Sequence, residues 1–138
     1  MTEEIKSNPN DAGLYLRRGY LYTRLGQVEE SLKDTTKAIE IDPTWAHPYN
    51  NRCYTYYQEG NYTKALPDCD KAISLDSKYW QAYDSRGDLR LAMGDTEGAC
   101  SDYKNAVKFD DDPDNDPFTY GEKNGKKWLT SDQGNFCK

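Results

Sequence analysis

Apolar and small residues are spaced along this chain as on amphipathic helices, and the same arrangement returns every 34 residues. In the first block Tyr15, Gly19 and Tyr22 stand four and three positions apart, which places them on one face of a helix from about 12 to 25. Gly26 follows, and its freedom to adopt a left-handed backbone predicts the end of that helix.

A second amphipathic pattern predicts another helix from about 28 to 41, which Asp42-Pro43 ends because proline disfavours helix in the preceding residue. Its inward-facing residues are expected to be Leu32, Thr35, Ala38 and Ile39. In the second block Pro67 falls near the start of the corresponding helix and predicts a mild kink rather than a break. Each block is thus predicted to be two helices joined by a short turn.

Several columns keep the same type of residue in all three blocks, as a repeated structural unit requires. The aligned sets are Gly26, Gly60 and Gly94; Gly19, Cys53 and Gly87; Ser31, Ala65 and Ala99; Ala38, Ala72 and Ala106; and Tyr15, Tyr49 and Tyr83. Small residues in these columns let the two helices of a block approach closely, and the tyrosines fill the space beside them.

This pattern resembles the tetratricopeptide repeat, a 34-residue helix–turn–helix unit with Gly, Tyr and Ala columns and a terminal Pro. The resemblance implies an all-α fold, a right-handed α-solenoid of three helix–turn–helix repeats. The expected domains are an N-terminal cap or the end of a preceding repeat at residues 1–11, repeats at 12–45, 46–79 and 80–111, and an acidic linker with a non-helical C-terminal extension at 112–138.

In such solenoids the first helix of each pair lines a concave groove, and this chain offers that groove a graded set of side chains. By analogy with the family they are Arg17, Tyr20 and Arg24 from repeat one, Asn50, Asn51, Tyr54 and Tyr57 from repeat two, and Asp84 and Asp88 from repeat three. The groove is expected to be basic at one end and acidic at the other, which suits an extended peptide or a partner helix.

The resemblance therefore implies a non-catalytic protein–protein interaction module, an adaptor or scaffold, that binds a peptide or partner helix in this groove. The alternative is a structural assembly module that stacks on further repeats or self-associates through its exposed ends, as a homo-oligomer. One branch of the family binds the C-terminal carboxylates of chaperones with Lys, Asn and Arg. The corresponding positions here are Leu16, Tyr20, Asn51, Gln81 and Ser85, of which only Asn51 fits, so that ligand is not expected.

Two further columns hold opposite charges sixteen residues apart in every block. Arginines stand on the first helix at Arg18, Arg52 and Arg86, and aspartates on the second at Asp34, Asp68 and Asp102. The hypothesis is that these are structural ion pairs that fix helix packing, within a repeat or between neighbours. The alternative is that both columns are solvated surface residues.

Charge and composition exclude several classes of partner. The formal net charge is −6, which opposes binding to nucleic acid and to anionic membrane surfaces. No apolar stretch approaches the roughly 20 residues that span a bilayer. The first ten residues hold no apolar signal core, so a cytoplasmic protein is expected, or an exported one whose leader is absent from the sequence.

No arrangement of residues indicates an enzyme, a metal site or a cofactor. The single histidine, His47, is expected on an exposed first turn, and it faces away from Cys53 on the same helix. Cys53, Cys69 and Cys100 are expected to be small buried residues, with a Cys100–Cys137 bridge open in an oxidising compartment. The acidic run at 110–116 offers calcium ligands, but no register supplies both the central Gly and the final Glu of a calcium loop.

The C-terminal extension departs from the repeated pattern. Asn124-Gly125 lies between segments that contain Tyr120 and Trp128, which is a β-hairpin signal because both turn residues tolerate positive φ. Such a hairpin would have to pack on repeat three, near Arg90 and Met93. The alternatives are a disordered tail, or a tail that lies in the groove and blocks or mimics a ligand.

Overall fold

The structure is a computed structural model of the chain and describes residues 2–110. This part of the chain contains seven α-helices and no β-strand. They are α1 (Thr2–Ser7), α2 (Ala12–Arg24), α3 (Val28–Ile41), α4 (Ala46–Gln58), α5 (Tyr62–Leu75), α6 (Trp80–Ala92) and α7 (Thr96–Phe109). Met1 and residues 111–138, which include the predicted hairpin and all of the acidic run after Asp110, lie outside the described residues.

The long helices form three pairs that stack in chain order. α2 packs on α3, α4 on α5 and α6 on α7, and the second helix of each pair also contacts the first helix of the next. The first helices α2, α4 and α6 contact one another in the same order. This all-helical arrangement agrees with the expected helix pairs, and α5 continues through Pro67 without a break.

Glycine ends the first helix of every pair by the predicted mechanism. Gly26, Gly60 and Gly94 have φ values of 75, 78 and 87°, and no other described residue has a positive φ. The next N–H, on Gln27 in the first pair, bonds the carbonyl of Tyr22 at 2.9 Å. This bond satisfies a carbonyl that the helix end would otherwise leave unpaired.

The two helices of a pair meet where the sequence places its smallest residues. Gly19, Cys53 and Gly87 occupy the same position on the three first helices, and all three are buried. A Cβ added at Gly19 would lie 3.1 Å from Cγ2 of Thr35, and one added at Gly87 would lie 2.6 Å from Cε1 of Tyr103. The residue sixteen positions later therefore always faces this column.

The same position in the second pair holds a disulfide, which corrects the expectation that the cysteines are only small buried residues. Cys53 of α4 and Cys69 of α5 are bonded, with their Cα atoms 5.4 Å apart and both side chains fully buried. The physical reason is the close approach of the two helices, which brings the column facing Cys53 within bonding distance. Cys100 is buried as expected, and Cys137 lies outside the described residues.

The two junctions between helix pairs are built from different chemistry. Between the first and second pairs, the hydroxyls of Thr23, Ser31 and Thr55 form a buried cluster, in which Thr23 and Thr55 are 2.9 Å apart. Between the second and third pairs, Leu89 takes the place of Thr55 and packs with Ala65 against the disulfide. The second junction is therefore apolar where the first is hydrogen-bonded.

Candidate functional site

The first helices of the three pairs, α2, α4 and α6, contribute side chains to one surface, which we call the first-helix face. Its members are the predicted groove residues Arg17, Tyr20, Arg24, Asn50, Asn51, Tyr54, Tyr57, Asp84 and Asp88, together with Gln81 and Ser85. Burial raises the pKa of Tyr54 of α4, and the nearby Asp88 and Asp84 of α6 and Tyr20 of α2 add to the rise. Side chains from three helix pairs are thus brought together.

The α2 end of this face is basic and accessible. Arg17 and Arg24 are exposed, and Tyr20 is half-buried. The guanidinium carbon of Arg24 lies 5.8 Å from the centre of the Tyr20 ring, within the range of a cation–π interaction. A guanidinium held over an aromatic ring keeps donors available for an anionic group.

The α4 section of the face is built from amides and tyrosines. Asn50 and Asn51 are fully buried, and Asn50 Nδ2 donates to the hydroxyl of Tyr79 at 3.4 Å. Tyr54 and Tyr57 are half-buried and their rings lie 6.0 Å apart. Tyr57 also packs against the apolar cluster around Cys53, so it is partly a core residue rather than only a ligand contact.

The α6 end of the face is acidic. Asp84 is 7% exposed, and Asp88 accepts a hydrogen bond of 2.6 Å from the hydroxyl of the fully buried Tyr103. Gln81 and Ser85 are also buried beside them. Two carboxylates one helical turn apart give this end a negative charge in a poorly solvated place.

Burial and the carboxylate of Asp88 both raise the pKa values of three tyrosines, Tyr54, Tyr57 and Tyr103. Burial raises the pKa of Tyr54 and of Tyr57 above the ordinary value, and the charge of Asp88 adds to both rises. Burial raises the pKa of Tyr103 much further, with Asp88 again contributing. The three hydroxyls therefore remain protonated hydrogen-bond donors well beyond neutral pH.

Both charge columns predicted to be ion pairs face each other in the structure. In each pair of helices the arginine donates through Nε and Nη2 to both oxygens of the aspartate sixteen residues later, at 2.7 to 3.0 Å. The pairs are Arg18–Asp34, Arg52–Asp68 and Arg86–Asp102. Hydrogen bonds to the aspartates raise the pKa of the Arg18 and Arg52 guanidinium groups.

Two of these arginines also reach back to the preceding helix pair. Arg52 Nη1 donates to the hydroxyl of Thr36 at 3.4 Å, and Arg86 Nη1 donates to the carboxylate of Asp70 at 3.0 Å. The ion pairs thus link the two helices of one pair and, through the free edge of the guanidinium, neighbouring pairs. Such fork geometry fixes orientation as well as distance.

Sequence reasoning missed four further contacts, one ion pair and three hydrogen bonds from tyrosine hydroxyls to the backbone. Arg90, which the sequence suggested only as a packing position for the C-terminal hairpin, donates to Asp102 at 3.0 Å. The hydroxyls of Tyr15, Tyr49 and Tyr83 each donate to the carbonyl six residues earlier, at 2.8 to 3.0 Å, and so fasten the loop before each first helix. The tyrosine column itself was a usable signal, because a phenylalanine would fill the same space without this bond.

His47 does not lie on an exposed turn, which corrects that expectation. Its ring is stacked between Trp45, at 5.4 Å, and Tyr79, at 4.4 Å, and both ring nitrogens are buried. The proline that follows it, Pro48, is fully buried and draws this first turn against the neighbouring pair. Cys53 is in a disulfide, so it offers no thiol to a histidine base.

Residues 2–110 contain no group of three or more His, Cys, Asp or Glu side chains placed to hold a metal ion. None of the seven helices in this part of the chain is long and apolar enough to cross a lipid bilayer.

Comparison with known families identifies the repeated unit. Family models described as the tetratricopeptide repeat match residues 12–45 and residues 46–79. The chain is 52% identical over 40 residues to Hsp70-Hsp90 organizing protein 1 of Glycine max, and 50% identical over 40 residues to Hsp70-Hsp90 organizing protein 3 of Arabidopsis thaliana. Each match covers 29% of this chain and 7% of the relative, so the chain spans a small part of those proteins.

Solved tetratricopeptide domains share the architecture over most of the chain. The first such domain of the human RPAP3 protein has a TM-score of 0.70 and 27% identity, and the alignment covers 80% of this chain and 85% of that one. The first such domain of Spaghetti, solved with the HSP90 peptide SRMEEVD, has a TM-score of 0.68 and 28% identity, with 87% and 94% covered.

Proposed function

We propose that this chain, which carries tetratricopeptide repeats in residues 12–79, is a non-catalytic protein–protein interaction module that binds a peptide or partner helix on its first-helix face. The third helix pair, within residues 80–111, serves as a third repeat, and the three pairs form a right-handed solenoid with this face on its concave side. Support comes from the common turn at Gly94 and from the Arg86–Asp102 pair, which reproduce the geometry of the first two repeats.

The observation that carries this proposal is a pair of buried amides on the first-helix face. Asn51 is fully buried, and neither Nδ2 nor Oδ1 has a hydrogen-bond partner. Gln81 is 5% exposed, and its Nε2 also lacks one. Leaving such groups unsatisfied costs about 1–3 kcal/mol each, and the backbone of an extended peptide supplies the missing donors and acceptors.

The ligand differs in chemistry from the peptide bound by the Spaghetti domain. That peptide, SRMEEVD, ends in acidic residues and a carboxylate. Chaperone-binding members of the family place Lys, Asn and Arg at five positions, which in this chain are Leu16, Tyr20, Asn51, Gln81 and Ser85, and only Asn51 fits that set. With Asp84 and Asp88 nearby, the α6 end repels an acidic tail, so the ligand presents basic character there and acidic character at Arg17 and Arg24.

Affinity capture from source lysate tests this proposal. Wild type is compared with an Asn51→Ala/Tyr54→Ala variant, and with Lys33→Ala/Lys71→Ala as a matched control on exposed positions of the second helices. We expect a partner that the control retains and the first variant loses. Titration with SRMEEVD should give no binding, and a partner retained equally by all three proteins would contradict the proposal.

A second candidate function is assembly through the exposed end of the helix stack. Leu21 and Leu25 of α2 are 42% and 70% exposed. In the second and third helix pairs the position of Leu21 is taken by Thr55 and Leu89, and both are fully buried against the preceding pair. The end of α2 thus presents an apolar surface of the type that a further repeat or a second copy would cover.

The disulfide bears on localisation. Disulfides persist in oxidising compartments and are rare in the cytosol. A bond between Cys53 and Cys69 therefore favours the exported alternative over a cytoplasmic protein. Thiol trapping of protein taken directly from its source, followed by mass measurement, tests this; two alkylated thiols at these positions would favour the cytoplasm.

A further inference from the structure

The polar side chains in the middle and at the acidic end of the first-helix face are almost fully shielded from water. Asn50 and Asn51 are 0% exposed, Gln81 is 5% exposed and Asp84 is 7% exposed. Amides and carboxylates that face only solvent are mostly exposed in folded proteins. Asn51 and Gln81 are buried with polar atoms that lack hydrogen-bond partners, and this indicates a site shaped for an occupant.

The chemistry of this site selects a cationic and aromatic occupant. Asp84 and Asp88 supply negative charge one helical turn apart. Burial raises the pKa of the neighbouring Tyr54 and Tyr57, and the charge of Asp88 raises both further. A lysine or arginine side chain would be attracted to the carboxylates, and an aromatic side chain could pack on the tyrosines. The side-chain amides of Asn51 and Gln81 would form hydrogen bonds with the occupant's backbone between these two side chains.

One segment of this chain combines these features. Residues 118–129, with the sequence FTYGEKNGKKWL, lie outside the described residues and contain Lys123, Lys126 and Lys127 together with three aromatic residues. They follow α7, which packs directly on α6 and whose C-cap is Asp110. The eight residues from 110 to 118 can span about 26 Å when extended, whereas the thirteen residues of α6 are about 20 Å long.

We propose that residues 118–129 bind the first-helix face of their own chain, with lysines at Asp84 and Asp88, backbone at Asn51 and Gln81, and aromatic side chains against Tyr54 and Tyr57. The proposal rests on the proposed function for its consequence, because a segment held there competes with a partner peptide. A short tether gives an effective concentration of the order of mM, so weak intrinsic binding is enough to occupy the face. The partner would then share the lysine and aromatic chemistry of this segment.

A synthetic peptide of residues 117–130, titrated by calorimetry into the full-length chain, tests the competition. In wild type the tethered segment already occupies the face, so the added peptide should bind weakly. A Lys126→Glu/Lys127→Glu variant weakens the tethered segment, and we expect the same peptide to bind it at least about tenfold more tightly. Lys33→Glu/Lys71→Glu makes the same change of charge on exposed positions of α3 and α5 and should leave the affinity at the wild-type value.

The site itself is tested by adding Asp84→Asn to the Lys126→Glu/Lys127→Glu variant. We expect the peptide to lose at least about tenfold in affinity, and the remaining affinity to fall less steeply with salt. The helical circular dichroism and the melting temperature should remain those of the parent variant, which separates lost binding from lost folding. Equal peptide affinity in wild type and in the lysine variant, or no detectable binding to either, would overturn the proposal.

These results are distinguishable from failure of the proposed function. A partner captured through Asn51 and Tyr54, combined with no binding of the peptide, would remove the proposed self-occupation and leave the interaction module standing. Peptide binding that depends on Asp84, combined with no partner lost by the Asn51→Ala/Tyr54→Ala variant, would do the reverse.

Discussion

At the scale of single residues, the close approach of α6 and α7 depends on the missing side chain at Gly87. A Cβ there would lie 2.6 and 2.8 Å from the ring carbons Cε1 and Cδ1 of Tyr103, which is fully buried and hydrogen-bonded to Asp88. We predict that Gly87→Ala lowers the free energy of unfolding by about 1–2 kcal/mol, because overpacking outweighs the better helix propensity of alanine. Urea denaturation followed by circular dichroism measures this change.

Gly19→Ala is the matched control, since Gly19 occupies the same position on α2. Its added Cβ would meet Cγ2 of Thr35 at 3.1 Å and Cβ of Asp34 at 3.2 Å, so the neighbours need to move only slightly. The gain in helix propensity, about 1 kcal/mol, should then nearly cancel the cost. Equal losses in the two variants would show that the ring of Tyr103 is not the cause.

The buried tyrosines predict a loss of stability at high pH. The pKa values of Tyr54, Tyr57 and Tyr103 are raised in the folded protein, so above the ordinary tyrosine pKa of about 10 the unfolded chain releases protons that the folded chain keeps. Their contribution to stability is complete below that pH and is lost as the pH rises beyond it. Urea denaturation from about pH 8 to 11 should show a falling free energy of unfolding.

Tyr103→Phe isolates the largest part of that effect, because the hydroxyl of Tyr103 has the most strongly raised pKa. The variant should be less stable than wild type at neutral pH, since the hydrogen bond to Asp88 is gone, and its stability should fall less steeply above about pH 10. An unchanged slope would mean that other groups carry the pH dependence.

At the scale of helices and their pairs, the three ion pairs are unequal, and Asp102 is the most heavily used. It is 1% exposed and accepts hydrogen bonds from both Arg86 and Arg90, whereas Asp34 receives only the two from Arg18 among the described contacts. We predict that Asp102→Asn lowers the free energy of unfolding by about 3 kcal/mol, because Arg86 and Arg90 both lose the carboxylate of Asp102 and, within residues 2–110, only Arg86 keeps a hydrogen bond to a second one, that of Asp70.

Asp34→Asn serves as the comparison and should lower the free energy of unfolding by about 1–2 kcal/mol. Only Arg18 loses its partner, and the Arg18 side chain is already 23% exposed to water. A double-mutant cycle of Asp102→Asn with Arg86→Gln should give a coupling energy of about 1 kcal/mol or more. Equal costs for the two aspartates would imply that Arg90 contributes nothing to the third pair.

The helices were predictable from the sequence, but the disulfide between α4 and α5 was not, although it has the same sixteen-residue separation as the predicted ion pairs. Turns depend on local residues such as Gly26 and Pro43, so the helix ends fell within one or two positions of expectation. The separation of sixteen that pairs Arg52 with Asp68 also pairs the next residues, Cys53 with Cys69. The disulfide could not be inferred from the sequence, because two of the three helix pairs have glycine, Gly19 and Gly87, in that column.

At the scale of the whole molecule, repetition explains why the architecture followed from the sequence while the state of the candidate site did not. Stacked helix pairs are fixed by contacts within a pair and between neighbouring pairs, and the residues that make the contacts within a pair return three times in the chain. Asn51 and Asp84, in contrast, are polar residues whose burial no repeated column of the sequence indicates. The stacking of His47 between Trp45 and Tyr79 likewise brings together residues from the starts of two successive helix pairs, which no local pattern indicates.

The oligomeric state separates the two candidate functions at this scale. A stable interface buries about 800 Å² on each partner, whereas two leucine side chains such as Leu21 and Leu25 bury on the order of 200 Å² together. We therefore predict a monomer, with the chain mass of 15.9 kDa in light scattering at every point over an approximately hundredfold range of concentration. A mass that rises with concentration in wild type, and returns to the monomer value in a Leu21→Gln/Leu25→Gln variant, would establish end-to-end stacking instead. Because both leucines are already exposed, that variant should keep the wild-type melting temperature, so a change in mass reports association rather than unfolding.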